Sequence, residues 1–132
     1  MFDNNHRRRE HRAHRKVNMP EKAWVQFLVL RLIHELPMHG YKLIEELDDR
    51  GYIDSRRLRS GSIYIILKRM EHRGFLSSVR VNPENRRSPR VYSITEYGKQ
   101  ELADGLRFVL ERRKINDELI EYYKDNFKVE SD

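Results

Sequence analysis

Residue types that bind anions are concentrated in the segment "RSGSIYIILKRMEHRGFL", which runs from Arg59 to Leu76. Ser60, Gly61 and Ser62 stand where a helix is predicted to begin. Small residues at that position leave backbone N–H groups open to an anion, which the helix dipole also attracts. The segment therefore predicts an anion-binding helix start, and the anion could be a nucleotide in an enzyme or the backbone of a nucleic acid.

The motifs of common enzyme classes are absent from the sequence. The Ser-Gly-Ser start lacks the GxxxxGK[ST] pattern of a phosphate-binding loop, and the chain has neither GxSxG nor HExxH. It has no cysteine, which excludes thiol catalysis and disulfides. His6, His11 and His14 occur at spacings that match no strong zinc pattern. We therefore expect no enzymatic activity, no cofactor and no metal site.

Positive charge is distributed unevenly along the 132 residues, whose net charge is +6. Residues 52–90 contain ten Lys or Arg against three Asp or Glu, a net charge of +7, and residues 1–16 contain six against two, a net charge of +4. Residues 17–51 contain four against six, and residues 91–132 seven against ten, so both are net acidic. This distribution indicates a polyanionic partner, although a solvated basic surface would carry the same charges.

Hydrophobic periodicity predicts three helices in the first half of the chain. They run from about Pro20 to Leu36, from about His39 to Arg50 and from about Ser60 to Arg73. Gly51 and Gly74 are placed to end the second and third helices, since glycine accepts the left-handed conformation that follows many helices.

The first helix is apolar on more than one face. Its predicted buried stripe consists of Val25, Leu28, Val29, Leu32, Ile33 and Leu36. Trp24, Phe27 and Leu30 lie outside this stripe, so the helix needs more than one packing partner. Two interpretations of Trp24 and Phe27 remain open: they belong to the core or a subunit interface, or they line a ligand pocket.

After Gly74 the hydrophobic period changes to near alternation in "FLSSVRVN" and "RVYSIT", which predicts a β-hairpin. The hairpin tip, "PENRRSP", carries Arg86 and Arg87. Thr95 can then cap a final helix that extends to about Phe127. A helix of about thirty residues is about 45 Å long. One small domain cannot cover that length, so the second half is expected to pack on a second copy of the chain.

Three helices followed by a hairpin and a last helix is the order of a winged helix-turn-helix domain. We therefore predict a mainly α fold with a small β-hairpin. It comprises a basic arm (1–18), a winged helix-turn-helix DNA-binding domain (19–95), a long C-terminal dimerisation helix (96–127) and a tail (128–132). The arm is almost without large apolar residues, so we expect it to be disordered when free. In such domains the third helix enters the DNA major groove, and the hairpin wing contacts neighbouring backbone.

Three motifs resemble the PadR family of bacterial and archaeal transcriptional regulators: "MHGYKLIEEL" at 38–47, "GSIYIILKRMEHRGFL" at 61–76 and "RVYSITEYGKQEL" at 90–102. The resemblance covers about residues 24–124 and looks like the shorter subgroup with a single long final helix. It implies a homodimer that binds palindromic promoter double-stranded DNA, usually as a repressor, and that a small-molecule effector often releases. The sequence departs from the family pattern at Ser60, where proline is frequent, and at the wing tip, which has no glycine.

We assign DNA contacts to the third helix, the wing and the start of the second helix: Ser60, Ser62, Tyr64, Ile65, Lys68, Arg69, Arg86, Arg87, Arg90, Tyr41 and Lys42. The expected dimer interface consists of Phe108, Ile115, Leu119, Tyr122 and Tyr123. Structural alternatives accompany several assignments. The serines could only cap the helix, Tyr64 could pack against the turn, and Arg90 could pair with an acid.

The alternative function is a winged-helix module that binds RNA or a protein without promoter specificity, because the fold is reused for both. The sequence has no signal-peptide pattern and no apolar run long enough to span a bilayer. We therefore expect a cytoplasmic protein without a membrane partner.

Overall fold

The computed structural model describes residues 21–53 and 60–127. The predicted arm at 1–18 and tail at 128–132 lie outside the described residues. The described elements are α1 (Glu21–Glu35), β1 (Met38–His39), α2 (Gly40–Asp49), α3 (Ser60–His72), β2 (Leu76–Arg80), β3 (Arg90–Ile94) and α4 (Glu96–Asn126). The predicted fold class, a mainly α winged helix-turn-helix with a small β-hairpin and a long last helix, is confirmed.

The central helix of the fold is α1, which contacts α2, α3, α4 and β3. These several partners explain why α1 is apolar on more than one face. Leu30, which lies outside the predicted stripe, is buried with the stripe residues. The expected burial of Leu36 is wrong: α1 ends at Glu35 and Leu36 is 63% exposed. Pro37 disfavours the helical conformation at Leu36, so the chain leaves the helix before that side chain reaches the core.

The core lies between α1, α2 and α3 and extends to the root of the hairpin. Ile63, Ile66, Leu67 and Met70 recur at helical spacing along α3, and all four are buried. They share the core with Leu43 and Leu47 of α2. No polar or charged side chain is buried within residues 21–53 and 60–127. The charged side chains of α3 are therefore all on its outer face.

Two glycines end helices in the left-handed conformation, Gly51 with φ 69° and Gly74 with φ 87°. After each glycine, the next residue donates its N–H to a carbonyl oxygen five residues back. Tyr52 donates to Leu47 and Phe75 to Met70, both at 2.9 Å. This is the hydrogen bonding of a glycine C-cap. The cap at Gly74 directs the chain from α3 straight into the wing, so the two are fixed close together.

The small sheet has three antiparallel strands in the order β1–β3–β2. The sequence predicts β2 and β3 but not β1, in which Met38 pairs with Tyr92 and His39 with Val91. Two residues are too few to show a period of two. β1 joins the start of α2 to the wing, and α2 consequently begins at Gly40 with His39 as its N-cap.

The start of α4 is attached to the end of α3 through Thr95. The Thr95 hydroxyl accepts a hydrogen bond from the Gly98 N–H (3.0 Å), as predicted for a helix cap, and donates to the Gly74 carbonyl (2.6 Å). Beyond Arg112 every described α4 side chain is exposed. Residues 113–126 therefore extend about 21 Å past the domain, at 1.5 Å per residue.

Candidate nucleic-acid interface

The outer face of α3 combines aromatic, aliphatic and basic side chains. Tyr64 is 46% exposed and Ile65 is 56% exposed. Lys68 and Arg69, one turn further along, are also exposed. These four assigned DNA-contact residues are exposed, whereas Ile63, Ile66, Leu67 and Met70 on the same helix are buried. The helix thus presents hydrogen-bond donors, positive charge and one apolar side chain together.

The outer face of α3 and the inner face of the wing form the two walls of an open cleft of about 920 Å³. The cleft is lined by Tyr64, Lys68, Arg69, Glu71, His72, Arg73, Arg80, Arg90 and Tyr92. Five of these side chains are Lys or Arg and one is acidic. The structure therefore brings four of the assigned residues, from two separate segments of the chain, into one basic surface.

Arg90 is linked to the one acidic side chain of the cleft through a serine. Its guanidinium donates to the Ser78 hydroxyl (3.1 Å), and that hydroxyl donates to the Glu71 carboxylate (2.6 Å). The alternative interpretation of Arg90, a pair with an acidic residue, is therefore realised only indirectly. Sequence reasoning did not single out Ser78 or Glu71, because seven residues and a chain reversal separate them.

Tyr92 lies at the floor of the cleft, and its ring belongs to the hydrophobic core. Burial, and to a smaller extent the Glu71 carboxylate, raises the pKa of the Tyr92 phenol. The phenol is therefore neutral at physiological pH and adds no negative charge to the cleft.

The wing tip is ordered by side chains, although it contains no glycine. Asn82 and Asn85 each accept a hydrogen bond from the N–H two residues further on, Glu84 at 3.2 Å and Arg87 at 3.0 Å. The Ser88 hydroxyl lies 2.8 Å from the carbonyl oxygens of Asn82 and Asn85. Asparagine and serine make such local turns without left-handed backbone. Arg86 and Arg87 are both exposed at this tip.

Arg80 is a wing residue that sequence reasoning missed. Its guanidinium donates to the carbonyl oxygens of Arg86 and Ser88, the latter at 3.3 Å. It is half-buried, like Ser78 two residues earlier on the same strand face. The alternation along β2 could have indicated this: Leu76, Ser78 and Arg80 share one face of the strand.

Tyr64 is positioned by a glycine of the second helix. A Cβ at Gly40 would overlap the Tyr64 ring, so only glycine allows the ring to lie across the start of α2. The packing interpretation of Tyr64 therefore has structural support, and its half-exposed side chain remains compatible with a phosphate contact. This contact also joins two separate sequence motifs, "MHGYK" and "GSIY".

The two residues assigned on α2 differ in their surroundings. Tyr41 is exposed and its ring stacks on His39, with centroids 5.5 Å apart. Lys42 is exposed, but its ammonium lies 3.7 Å from the Glu45 carboxylate and 3.5 Å from that of Glu46. Glu45 and then Glu46 raise the pKa of Lys42. A phosphate would have to compete with these two carboxylates for Lys42.

The structure describes the side chain of only one of the two serines assigned at the start of α3. Ser60 is the first residue of α3, but its side chain lies outside what the structure describes. Ser62 is half-buried in the first turn. The predicted contact of the α3 start with an anion therefore stays a prediction.

Four of the five residues assigned to the dimer interface lie on the projecting part of α4, and Phe108 lies before it. Ile115, Leu119, Tyr122 and Tyr123 are each about half exposed in the single chain. Phe108 is half-buried, and the Arg112 guanidinium lies 5.4 Å from the centre of its ring. These side chains form an apolar stripe on a helix that its own domain does not cover.

Trp24 and Phe27 form an aromatic pair on α1 with ring centroids 5.3 Å apart. The Phe27 ring lies against Gly105 of α4 so closely that a Cβ there would come within 2.5 Å of it. A groove of about 610 Å³ also lies between α1 and α4, but its lining residues include neither aromatic ring. Gly105, an intrinsically weak helix former within α4, is thus a packing site.

One family of known proteins matches most of the described part of the chain. The model of the transcriptional regulator PadR-like family matches residues 29–104. Comparison with the curated proteins finds no significant match. No helix in the described parts of the chain is both long and apolar enough to span a membrane.

Solved structures resemble this fold closely. A proposed transcriptional regulator from Thermoplasma acidophilum is 35% identical, with a TM-score of 0.62 over 76% of this chain and 93% of that one. Bacillus subtilis PadR in complex with operator DNA is 26% identical, with a TM-score of 0.53 over 61% of this chain and 45% of that one. A PadR family regulator from Clostridium difficile has a TM-score of 0.59 at 22% identity, over 75% and 97% of the two chains, and supports the fold alone.

Proposed function

This chain belongs to the PadR-like family of transcriptional regulators, and from that membership we propose that it binds duplex DNA through the cleft between α3 and the wing. The observation that carries the proposal is the composition of the cleft, five Lys or Arg against one acidic side chain. The Bacillus subtilis relative, crystallised with operator DNA, supports the same use of the fold.

In the proposed complex α3 lies in the major groove. A helix of 13 residues is about 20 Å long, and the groove is wide enough to admit an α-helix. Lys68 and Arg69 reach guanine edges or phosphates, Ile65 contacts a thymine methyl group, and the Tyr64 hydroxyl bonds a phosphate. The backbone N–H groups at the α3 start, with Ser60 and Ser62, bind a further phosphate.

The wing extends the contact beyond the major groove. Arg86 and Arg87 at its tip and Arg90 on its return strand bind phosphates or enter the minor groove. Tyr41 and Lys42 contact the backbone from the start of α2. The regulator is proposed to act as a homodimer on palindromic promoter DNA and to repress transcription there.

An aromatic effector is the proposed signal for release from DNA. Trp24 is 38% exposed and its ring lies beside Phe27, a pair on which a flat ligand can stack. Trp24 is the only tryptophan in the chain, so its fluorescence reports on this position alone. Saturable quenching by an aromatic compound that also weakens DNA binding supports the pocket. Quenching that leaves DNA affinity unchanged contradicts its regulatory role.

The decisive experiment measures the salt dependence of binding to an operator that the wild-type chain selects from random duplex DNA. Lys68→Ala and Arg87→Ala should each weaken binding and flatten the slope of log K against log salt by about one unit, because each removes one cation from the DNA-binding surface. Fluorescence anisotropy of labelled duplex over a range of salt concentrations gives both quantities.

Lys99→Ala is the matched control for these two variants. Lys99 lies in the groove between α1 and α4, which shares no lining residue with the cleft. Lys99→Ala should leave the slope of log K against log salt unchanged. Unchanged affinity and slope in both cleft variants would refute the proposed DNA surface. Tighter binding to RNA than to duplex DNA at matched salt would favour the RNA-binding alternative instead.

A further inference from the structure

The wing tip has few backbone hydrogen bonds of its own. Between the last paired residues of β2 and β3, residues 81–89 make three such bonds: Val81 N–H to Pro89, Asn85 N–H to Asn82 and Ser88 N–H to Asn85. The two prolines in this segment have no N–H to donate. A loop of this kind depends on side chains to hold one conformation.

Arg80 adds hydrogen bonds from outside the tip to those that Asn82, Asn85 and Ser88 make within it. It is the last residue of β2, and its guanidinium donates to the carbonyl oxygens of Arg86 and Ser88. These two carbonyls are on either side of Arg87. One rigid, planar group therefore ties the backbone around Arg87 to the regular part of the hairpin.

Two roles are open to an arginine in this place. Arg80 lines the basic cleft, so it could contact a DNA phosphate like its neighbours. Its Nη1 group, however, already donates to two backbone carbonyls, and its side chain is half-buried. The geometry favours a role inside the protein.

We propose that Arg80 is a positioning residue, which holds the wing tip in the conformation that presents Arg86 and Arg87 and makes no phosphate contact of its own. The part concerning the tip stands on the hydrogen bonds alone. The part concerning DNA rests on the proposed function of the cleft.

Limited trypsin digestion of the free, full-length chain tests the first part without DNA. Cleavage after Arg86 and Arg87, followed by mass spectrometry, reports how often the tip opens. Arg80→Met keeps the length of the side chain and removes its donors. It should raise cleavage at these two sites about tenfold, since hydrogen bonds to charged groups are among the stronger ones.

Arg73→Met is the control that removes an equal charge. Arg73 is an exposed residue on the other wall of the cleft, and its loss should leave cleavage at the tip unchanged. Arg80→Lys retains the charge without the planar fork and should give an intermediate rate. This variant also provides the measurement if Arg80→Met does not fold. Equal tip cleavage in the wild-type and both Arg80 variants would overturn the proposal.

A double-mutant cycle on DNA binding tests the second part. Arg87→Ala should weaken binding in the wild-type chain but much less in Arg80→Met, because a loose tip no longer presents Arg87. Additive losses, with a slope reduced by a further unit for Arg80→Met, would show that Arg80 contacts phosphate itself. If the wild-type chain binds no duplex DNA, the proposed function fails, and the trypsin result still decides whether Arg80 holds the tip.

Discussion

At the residue scale, the cleft places a negative charge among positive ones for a structural reason. Glu71 lies on α3, and its carboxylate accepts the Ser78 hydroxyl, which in turn accepts from Arg90. The two hydrogen bonds cross from the helix to both strands of the wing. Glu71 therefore sets the orientation of Arg90 without neutralising it in a direct ion pair.

Ser78→Ala should disturb the position of the Arg90 guanidinium without removing its charge. Without the hydroxyl the guanidinium is free to rotate, so DNA affinity should fall about fivefold, the typical value of one hydrogen bond. The salt slope should stay the same because no cation is lost. Arg90→Ala should lower both affinity and slope.

Ser77→Ala is the control for this prediction, since Ser77 is exposed on the opposite face of β2. It should bind DNA like the wild-type chain. The interpretation of the Glu71–Ser78–Arg90 chain is wrong if the two serine variants behave alike in anisotropy titrations.

At the element scale, the angle between α3, the wing and α4 depends on contacts where the two ends of the wing meet. The Thr95 hydroxyl bonds to both ends, to the Gly74 carbonyl at the end of α3 and to the Gly98 N–H at the start of α4. A Cβ at Gly98 would overlap the Phe75 carbonyl oxygen, so α4 approaches the start of the wing at backbone distance. The end of α3 and the beginning of α4 therefore behave as one rigid corner.

Thr95→Ala should lower the free energy of unfolding by about 1–2 kcal/mol, the usual cost of removing a helix cap. Thr95→Ser keeps the hydroxyl and should lose only a small part of this. Urea denaturation at one fixed protein concentration measures the difference. A Thr95→Ala variant as stable as the wild-type chain would show that the corner is held by packing alone.

At the scale of the whole molecule, α4 carries apolar residues that its own domain leaves exposed. Ile115, Leu119 and Tyr122 are exposed, and the half-buried Phe108 precedes Ile115 by seven residues, the same interval that separates Ile115 from Tyr122. This is the spacing of a seam between paired helices. Exposed apolar stripes of this length usually mark an interface, and a second copy of the chain is the proposed partner.

Leu119→Asp should convert the proposed dimer to monomer in analytical ultracentrifugation, since the seam would then bury a charge. Binding to a two-site operator should weaken with it, because two-fold symmetry places the recognition helices about 34 Å apart on one face of DNA. Lys114→Asp introduces the same residue away from the stripe and should leave the particle mass measured by ultracentrifugation at the dimer value. An intact Leu119→Asp dimer would place the interface elsewhere.

The sequence allowed prediction of the features that depend on neighbours along the chain. The apolar period of α3, the glycine ends at Gly51 and Gly74, and the Thr95 cap are confirmed because each reflects backbone chemistry within a few residues. Strand β1 was not predicted because two residues are too few to show a period of two. Leu36 was wrongly expected in the core because the apolar pattern was extended past the end of the helix before Pro37.

The sequence by itself therefore determined the helices, the hairpin and the concentration of positive charge at 52–90. Only the tertiary structure decided which charged side chains share a surface and which make hydrogen bonds within the protein. Arg80 faces the wing tip rather than solvent, and Gly40 makes room for the Tyr64 ring across two separate motifs. Such pairings are set by the packing of segments far apart in the chain, and no local period encodes them.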